Sequence, residues 1–211
     1  MTHYDTWLEW HNAEKKVLKK NVIDYVIHPA GLNPNSGDWN RTGADNAEYT
    51  VNEIDLKENE SVLEYGCGNG RILRHLKDYH SYGVDIVPDF IKEANENDCD
   101  AYILEAFEES VDKVFSLTVF IHLRHEQAEE ALKYIHEHLN EHGTAYLQVL
   151  TYGKDKDAIN FSDMTTYNLK TFEKMALKCG FEILKSYKMV GDVNDNKFDH
   201  NHNKYTILKK I

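Results

Sequence analysis

The feature that most constrains the fold is an apolar segment that runs into glycines at alternate positions. Residues 61–65 (SVLEY) are mainly apolar, carry the acidic Glu64, and are followed by Gly66, Gly68 and Gly70. Glycines in such a turn let the backbone bend sharply and approach a ligand closely, because no Cβ intervenes. A strand that ends in this way is typical of ligand sites at the carboxyl edge of a parallel sheet. The sequence therefore predicts a binding site around residues 64–70.

Short apolar runs alternate with amphipathic segments along the rest of the chain. The pattern predicts helices at 70–79, 88–96, 125–140 and 168–179, between strands at 61–65, 81–86, 101–104, 113–120 and 144–150. This order is the signature of a mostly parallel sheet with helices on both faces. Two final runs, 181–190 and 204–211, lie close enough in sequence to form an antiparallel hairpin. We predict a three-layer α/β fold with a mostly parallel seven-stranded sheet and an antiparallel last strand.

The first 40 residues are predicted to form a helical segment that precedes a domain at 41–211. Amphipathic spacing favours a helix at 5–26, the loop at 28–40 contains two of the three prolines, and a second helix is expected at 42–55. The segment is rich in aromatic side chains (Tyr4, Trp7, Trp10 and Trp39). Two compatible interpretations remain open: the rings pack against the sheet domain, or the segment is a lid over an acceptor pocket.

Charge and cysteine usage exclude several classes of protein. The chain has 24 basic and 36 acidic residues, a net charge of −12, which repels phosphate backbones and anionic membranes. Its longest apolar run, 114–121, is too short to span a membrane, and its N-terminus lacks the pattern of a secretory signal. Three widely spaced cysteines argue against a disulfide scaffold. We expect a cytoplasmic protein without nucleic-acid or membrane partners; the sequence does not indicate an oligomeric state.

Two classes of cofactor bind at a glycine turn of this kind. The dinucleotide fingerprint G-x-G-x-x-G requires its third glycine at position 71, where this chain has arginine. A pyrophosphate would also be repelled by Glu64. The spacing E-x-G-x-G-x-G suits a positively charged ligand without phosphate better.

These residues and several that follow resemble the class I S-adenosylmethionine-dependent methyltransferases over residues 40–211. The segment 64–70 is similar to their first motif, and Asp85 ends the second strand, where the family's acidic residue binds the ribose hydroxyls. Glu105 follows the third strand at the place of the usual adenine-binding aspartate. Four further segments resemble later strands and helices of the family: 112–116, 120–123, 138–149 and 169–181. The resemblance implies a Rossmann-like fold and S-adenosylmethionine as cofactor.

The resemblance also implies which residues form the cofactor pocket. Cys67 is interpreted as a small filler because no activating base is evident, Leu117 is assigned to the methionine end, and Arg41 is a candidate partner of the cofactor carboxylate. The full set is Glu64, Tyr65, Gly66, Cys67, Gly68, Gly70, Asp85, Ile86, Glu105, Ala106, Leu117 and Arg41.

Methyl transfer needs mainly positioning of the acceptor, and a general base only when the acceptor arrives protonated. His122, after the fourth strand, is the candidate base; packing and capping of the next helix is the alternative. The segment 116–119 (SLTV) lacks the [D/N/S]PP[Y/F] motif of base-methylating enzymes, and no cysteine follows a proline. We predict a small-molecule hydroxyl or amine as acceptor. The alternatives are a protein side chain, a different sulfonium donor, or a non-catalytic S-adenosylmethionine sensor or scaffold.

No metal is expected, because a polar turn explains DHNHN at 199–203.

Overall fold

The computed structural model describes residues 38–151, 154–157, 164–188 and 203–211, together with Leu8, Glu9 and Asn12. Most of the predicted N-terminal helix, residues 28–37 of the predicted loop and the aromatic side chains of this segment lie outside the described residues, as do the side chains of 199–203. Residues 38–40, predicted as the end of that loop, are helical instead. No helix in the described part of the chain is long and apolar enough to cross a membrane.

The described residues include four α-helices with both ends described, seven strands and short 3-10 helices. The helices are α1 (Asp38–Ile54), α2 (Pro88–Glu96), α3 (His125–His138) and α4 (Leu169–Lys178). The strands are β1 (Ser61–Tyr65), β2 (His80–Asp85), β3 (Ala101–Ile103), β4 (Val111–Ser116), β5 (Leu139–Leu150), β6 (Phe181–Lys188) and β7 (Asn203–Lys210). They form one seven-stranded sheet in the order β3-β2-β1-β4-β5-β7-β6. The predicted α/β fold, including the antiparallel last strand, is confirmed.

The chain divides into two compact units, the first of which ends at Glu108. In this unit β1, β2 and β3 pair in parallel, with Ser61 opposite His80 and Gly83 opposite Ala101. Val62 and Val84 are completely buried, as expected for parallel strands covered on both faces. Because the strands are parallel, their carboxyl ends share one edge, which places Asp85 beside the turn that follows β1.

The second unit begins at Glu109. Here β4 pairs in parallel with β5, while β7 runs antiparallel to both of its neighbours, β5 and β6. Its core contains fully buried aromatic and aliphatic side chains, including Phe115, Leu132, Tyr146 and Phe172. The shared direction of β4 and β5 brings their carboxyl ends, Ser116 and Leu150, to the same edge.

The prediction of an α-helix at 70–79 is wrong. Residues 73–75 form a short 3-10 helix instead, with His75 N–H donating to Ile72 O and Leu76 N–H to Leu73 O, both at 2.9 Å. Leu73 and Leu76 are each 1% exposed. A 3-10 helix has three residues per turn, so side chains three apart face the same way. A 3-10 turn can therefore bury Leu73 and Leu76, whose spacing is also that of an amphipathic α-helix.

Other boundaries shift by a few residues. Strand β4 ends at Ser116, not at the expected residue 120, since Thr118 adopts a left-handed backbone with φ of 61°. Helix α3 ends at His138 and β5 starts at Leu139, so the helix expected at 125–140 is shorter. Helix α1 begins at Asp38 and spans the predicted boundary at residue 40; the division into 1–40 and 41–211 stays a prediction.

Candidate active site

The turn after β1 has the left-handed backbone that favours glycine. Gly66, Gly68 and Gly70 have φ of 78°, 54° and 78°. The N–H groups of Gly66 and Cys67 donate to Val84 O at 2.8 and 2.9 Å, which ties the turn to β2. These bonds hold the glycine loop, residues 66–70, at the carboxyl edge of the sheet.

Asp85 is fixed by two backbone donors at the end of β2. Its Oδ2 accepts from Gly68 N–H and its Oδ1 from Val87 N–H, each at 2.9 Å. Hydrogen bonds to a carboxylate are charge-assisted and stronger than neutral ones. The side chain therefore has one orientation, next to the glycine loop.

Glu64 is a buried acid with an unpaired oxygen. It is 4% exposed, and no described residue donates a hydrogen bond to its Oε2. Burial raises its pKa to about 8; the Asp85 charge acts in the same direction, whereas Arg71 and the Leu73 N–H lower the pKa. An orphaned acceptor of this kind costs stability unless a ligand supplies a donor.

Two residues of the loop region bind neighbouring helices. Asn69 is fully buried and donates through Nδ2 to Glu93 Oε1 of α2 at 3.0 Å, while its Oδ1 has no partner among the described residues. Arg71 Nη1 donates to Thr42 Oγ1 of α1 at 3.3 Å. In the amide orientation that satisfies both groups, Asn46 of α1 also accepts from Arg71 Nη2 at 3.1 Å. The loop is thus anchored to α1 and α2.

The structure brings together some of the residues assigned to the cofactor and not others. Arg41 lies on the exposed side of α1, 61% exposed, and pairs with Asp45 at 3.0 Å. Glu105 and Ala106 are exposed in a 3-10 helix after β3. Burial raises the pKa of the Cys67 thiol, which disfavours a reactive thiolate. Tyr65 is buried, and Ile86 and Leu117 are half-buried.

His122 ends the 3-10 helix Phe120–His122 that follows β4. The hydroxyl of buried Tyr167 lies 2.7 Å from Leu123 O and 3.0 Å from Phe120 O, and Thr165 N–H donates to Ile121 O at 2.8 Å. Residues 165–167 therefore fix the backbone of the turn that carries His122.

His125, the first residue of α3, connects this helix to residues 154–157. Its Nδ1 and backbone N–H bind Asp157 Oδ1, and its Nε2 lies 3.4 Å from Asp155 Oδ1. Both ring nitrogens face carboxylates, so we interpret His125 as a structural link. Within the described residues, no group of three or more His, Cys, Asp or Glu side chains is arranged to hold a metal ion.

Sequence reasoning missed the buried amide of Gln148 on β5. Its Oε1 accepts from Thr118 N–H at 2.8 Å. Its position in the sequence could have indicated it, because it is the only amide in the apolar run 145–150 (AYLQVL). It lies two residues before the carboxyl end of its strand.

We expect Gly70→Ala to destabilise the fold by about 1–3 kcal/mol, the usual cost of a residue held in an unfavourable backbone region. The φ of 78° disfavours alanine, and its Cβ would lie 2.6 Å from Cys99 Sγ. Denaturant titration measures the loss. In Gly70→Ala/Cys99→Ala the clash is relieved but the backbone strain remains, so recovery should be partial. Cys99→Ala alone is the control; full recovery in the double variant would contradict a contribution from backbone strain.

One family model matches part of the chain. Residues 62–143, which include the glycine loop, Asp85 and His122, match a family model described as "Methyltransferase domain". No curated protein matches the chain in sequence.

Solved structures share the fold at low sequence identity. Magnesium protoporphyrin IX methyltransferase from Synechocystis, solved with bound SAH, is 14% identical, with 94% of this chain and 97% of that chain covered and a TM-score of 0.64. The CcbJ methyltransferase from Streptomyces caelestis is 15% identical over 90% and 94%, with a TM-score of 0.63. An S-adenosylmethionine-dependent methyltransferase from Clostridium acetobutylicum is 13% identical over 95% and 97%, with a TM-score of 0.61. The domain match over residues 62–143 and the shared fold support a class I S-adenosylmethionine-dependent methyltransferase.

Proposed function

We propose that this methyltransferase transfers the methyl group of S-adenosylmethionine to a hydroxyl or amine of a small molecule. The observation that carries the cofactor assignment is the pair of acidic side chains around the glycine loop. Glu64 has an unpaired buried oxygen, and Asp85 is held in one orientation by Gly68 and Val87.

The chemistry of these groups fits S-adenosylmethionine. The cofactor carries an ammonium group, a sulfonium and a ribose diol, and acidic side chains favour all three, whereas they disfavour a pyrophosphate. We assign Asp85 to the ribose hydroxyls and Glu64 to the positively charged methionine end. When bound, the cofactor supplies an activated methyl group.

The residues of this chain contribute positioning and, for a protonated acceptor, proton transfer. In an in-line displacement the bond from acceptor oxygen or nitrogen to the methyl carbon forms as the carbon–sulfur bond breaks. Holding the nucleophile about 3 Å from the carbon supplies most of the acceleration. We assign His122 to take the proton of the acceptor, in a turn whose backbone is fixed by Thr165 and Tyr167.

Three observations support a small acceptor. The net charge of −12 disfavours nucleic acid, and the segment 116–119 lacks the motifs of base-methylating enzymes. One structural neighbour is named for magnesium protoporphyrin IX, a small molecule. A protein side chain is the second choice, and another neighbour was solved with the Trm112 methyltransferase activator.

The decisive experiment is transfer of a tritium-labelled methyl group from S-adenosylmethionine into separated fractions. We expect label in a metabolite extract and little in nucleic acid or protein. Label mainly in nucleic acid or protein would refute the small acceptor while leaving the cofactor assignment standing. Calorimetric binding of S-adenosylhomocysteine without transfer to any fraction would instead indicate a sensor.

If His122 is the general base, His122→Ala should lower kcat by about 10²- to 10⁴-fold and leave S-adenosylhomocysteine affinity unchanged. The rate of label transfer into the accepting fraction measures the effect. His80→Ala, on an exposed position of β2, is the matched control. An unchanged rate in His122→Ala would assign this residue a structural role and leave catalysis to positioning.

A further inference from the structure

We propose that Gln148 determines acceptor specificity by donating a hydrogen bond from its Nε2 to an oxygen of the methyl acceptor. This role rests on the proposed methyl transfer and adds to it a recognition residue on β5. It also restricts the acceptor to molecules that carry an oxygen atom near the reacting hydroxyl or amine.

The first support is the place of an amide in the core. Gln148 is 8% exposed, and its neighbours Leu147 and Val149 are completely buried. Burying an amide costs about 1–3 kcal/mol when its hydrogen bonds are not replaced. Packing alone would favour an apolar side chain at this position, so the amide calls for another explanation.

The second support is the orientation of that amide. Thr118 N–H donates to its Oε1 at 2.8 Å. A glutamine amide has an acceptor end and a donor end, so this bond turns the NH₂ group away from Thr118. Among the described residues, the Thr118 bond is the one hydrogen bond of the Gln148 side chain, so Nε2 has no acceptor there. Nε2 is also not completely buried. The donor end is therefore oriented and available.

The third support is the backbone of Thr118. Its φ of 61° is an outlier for a β-branched residue and costs on the order of 1–3 kcal/mol. Its hydroxyl donates to Leu117 O at 2.6 Å, so the conformation is stabilised locally. Strained residues of this kind cluster at functional sites. Here the strained residue supplies the N–H that fixes the Gln148 amide.

An oriented NH₂ group recognises an oxygen acceptor such as a hydroxyl, ether or carbonyl. Sites built to bind one polar group discriminate strongly against analogues that lack it, because the buried amide is then left unpaired. A polyoxygenated small molecule fits this donor better than a simple alkyl amine does.

Gln148→Glu tests the donor specifically. Glutamate keeps an oxygen for Thr118 N–H but removes the NH₂ donor and places a charge against the acceptor oxygen. Gln148→Met, of similar volume and uncharged, separates the charge from the missing donor. Gln127→Glu is the matched control, because Gln127 Oε1 also accepts a backbone N–H, from Arg124 at 2.9 Å.

The probe is tritium-labelled S-adenosylmethionine with a dilution series of the metabolite extract. We expect both Gln148 variants to raise the apparent KM for the extract by at least about tenfold, with S-adenosylhomocysteine affinity unchanged and the control like the wild type. An apparent KM within about twofold of wild type in Gln148→Glu, with the wild type active, would overturn this role alone. A wild type that transfers no label would overturn it together with the proposed function.

Discussion

Asp85→Ala is expected to weaken S-adenosylhomocysteine binding by about 10- to 100-fold. Removing a hydrogen bond to a charged group costs about 1.5–3 kcal/mol, and 1.4 kcal/mol corresponds to a tenfold change in affinity. The substitution also releases the N–H groups of Gly68 and Val87, which Asp85 holds at 2.9 Å. The effect should therefore combine a lost ribose contact with a loosened glycine loop. Isothermal titration calorimetry measures the dissociation constant directly.

Two further variants make this result specific. Asp85→Asn should also bind weakly, because an amide has one oxygen for two backbone donors and its NH₂ would face an N–H. Asp78→Ala, at an exposed position in the same unit, removes an equal charge away from the loop and should bind like the wild type. A dissociation constant for Asp85→Ala within about threefold of wild type would contradict the assigned role.

The glycine loop and Asp85 could be predicted from the sequence because their signals are local. Strand β1, the turn and the acid that ends β2 are each encoded by a few adjacent residues. The parallel order of the strands then determines that their carboxyl ends meet. The structure adds that Gly68 N–H and the Asp85 carboxylate are directly bonded.

Other parts of the two units depend on contacts between residues far apart in sequence. The bond from Thr118 to Gln148 spans 30 residues, and that from Arg71 to Thr42 spans 29. No local sequence pattern predicts such pairs. The spacing of apolar residues likewise does not predict the left-handed backbone of Thr118, which ends β4 early. The 3-10 turn at 73–75 and an α-helix both bury side chains three residues apart, so apolar spacing alone does not distinguish them.

The buried Glu64 should give the cofactor-free protein an unusual dependence of stability on pH. Its pKa of about 8 in the folded state lies above the ordinary value of 4.5, chiefly because of burial. Between these two values the folded protein retains a proton that the unfolded chain has lost. The contribution of Glu64 to the free energy of unfolding is therefore complete below pH about 4.5. It is lost as the pH rises through about 8, by at most about 1.4 kcal/mol per pH unit.

Denaturant titrations of the ligand-free protein from pH 5 to pH 9 measure this dependence. Glu64→Gln, which stays neutral, should lack this part of the slope and be more stable than the wild type above pH 8. Glu58→Gln, at an exposed position, is the matched control and should keep the slope of the wild type. Identical slopes for wild type and Glu64→Gln would show that Glu64 does not titrate in this range.

The same linkage predicts a proton balance for ligand binding. The Glu64 carboxyl is faced by the Arg71 guanidinium, the Leu73 N–H and the Asp85 carboxylate. An ammonium group arriving at its unpaired Oε2 favours the ionised form, so binding of S-adenosylhomocysteine at pH 7 should release close to one proton. Calorimetry in buffers of different ionisation enthalpy counts that proton, and Glu64→Gln should abolish the release. Proton release of the same size in the variant would assign it to another group and would remove Glu64 from the methionine end of the site.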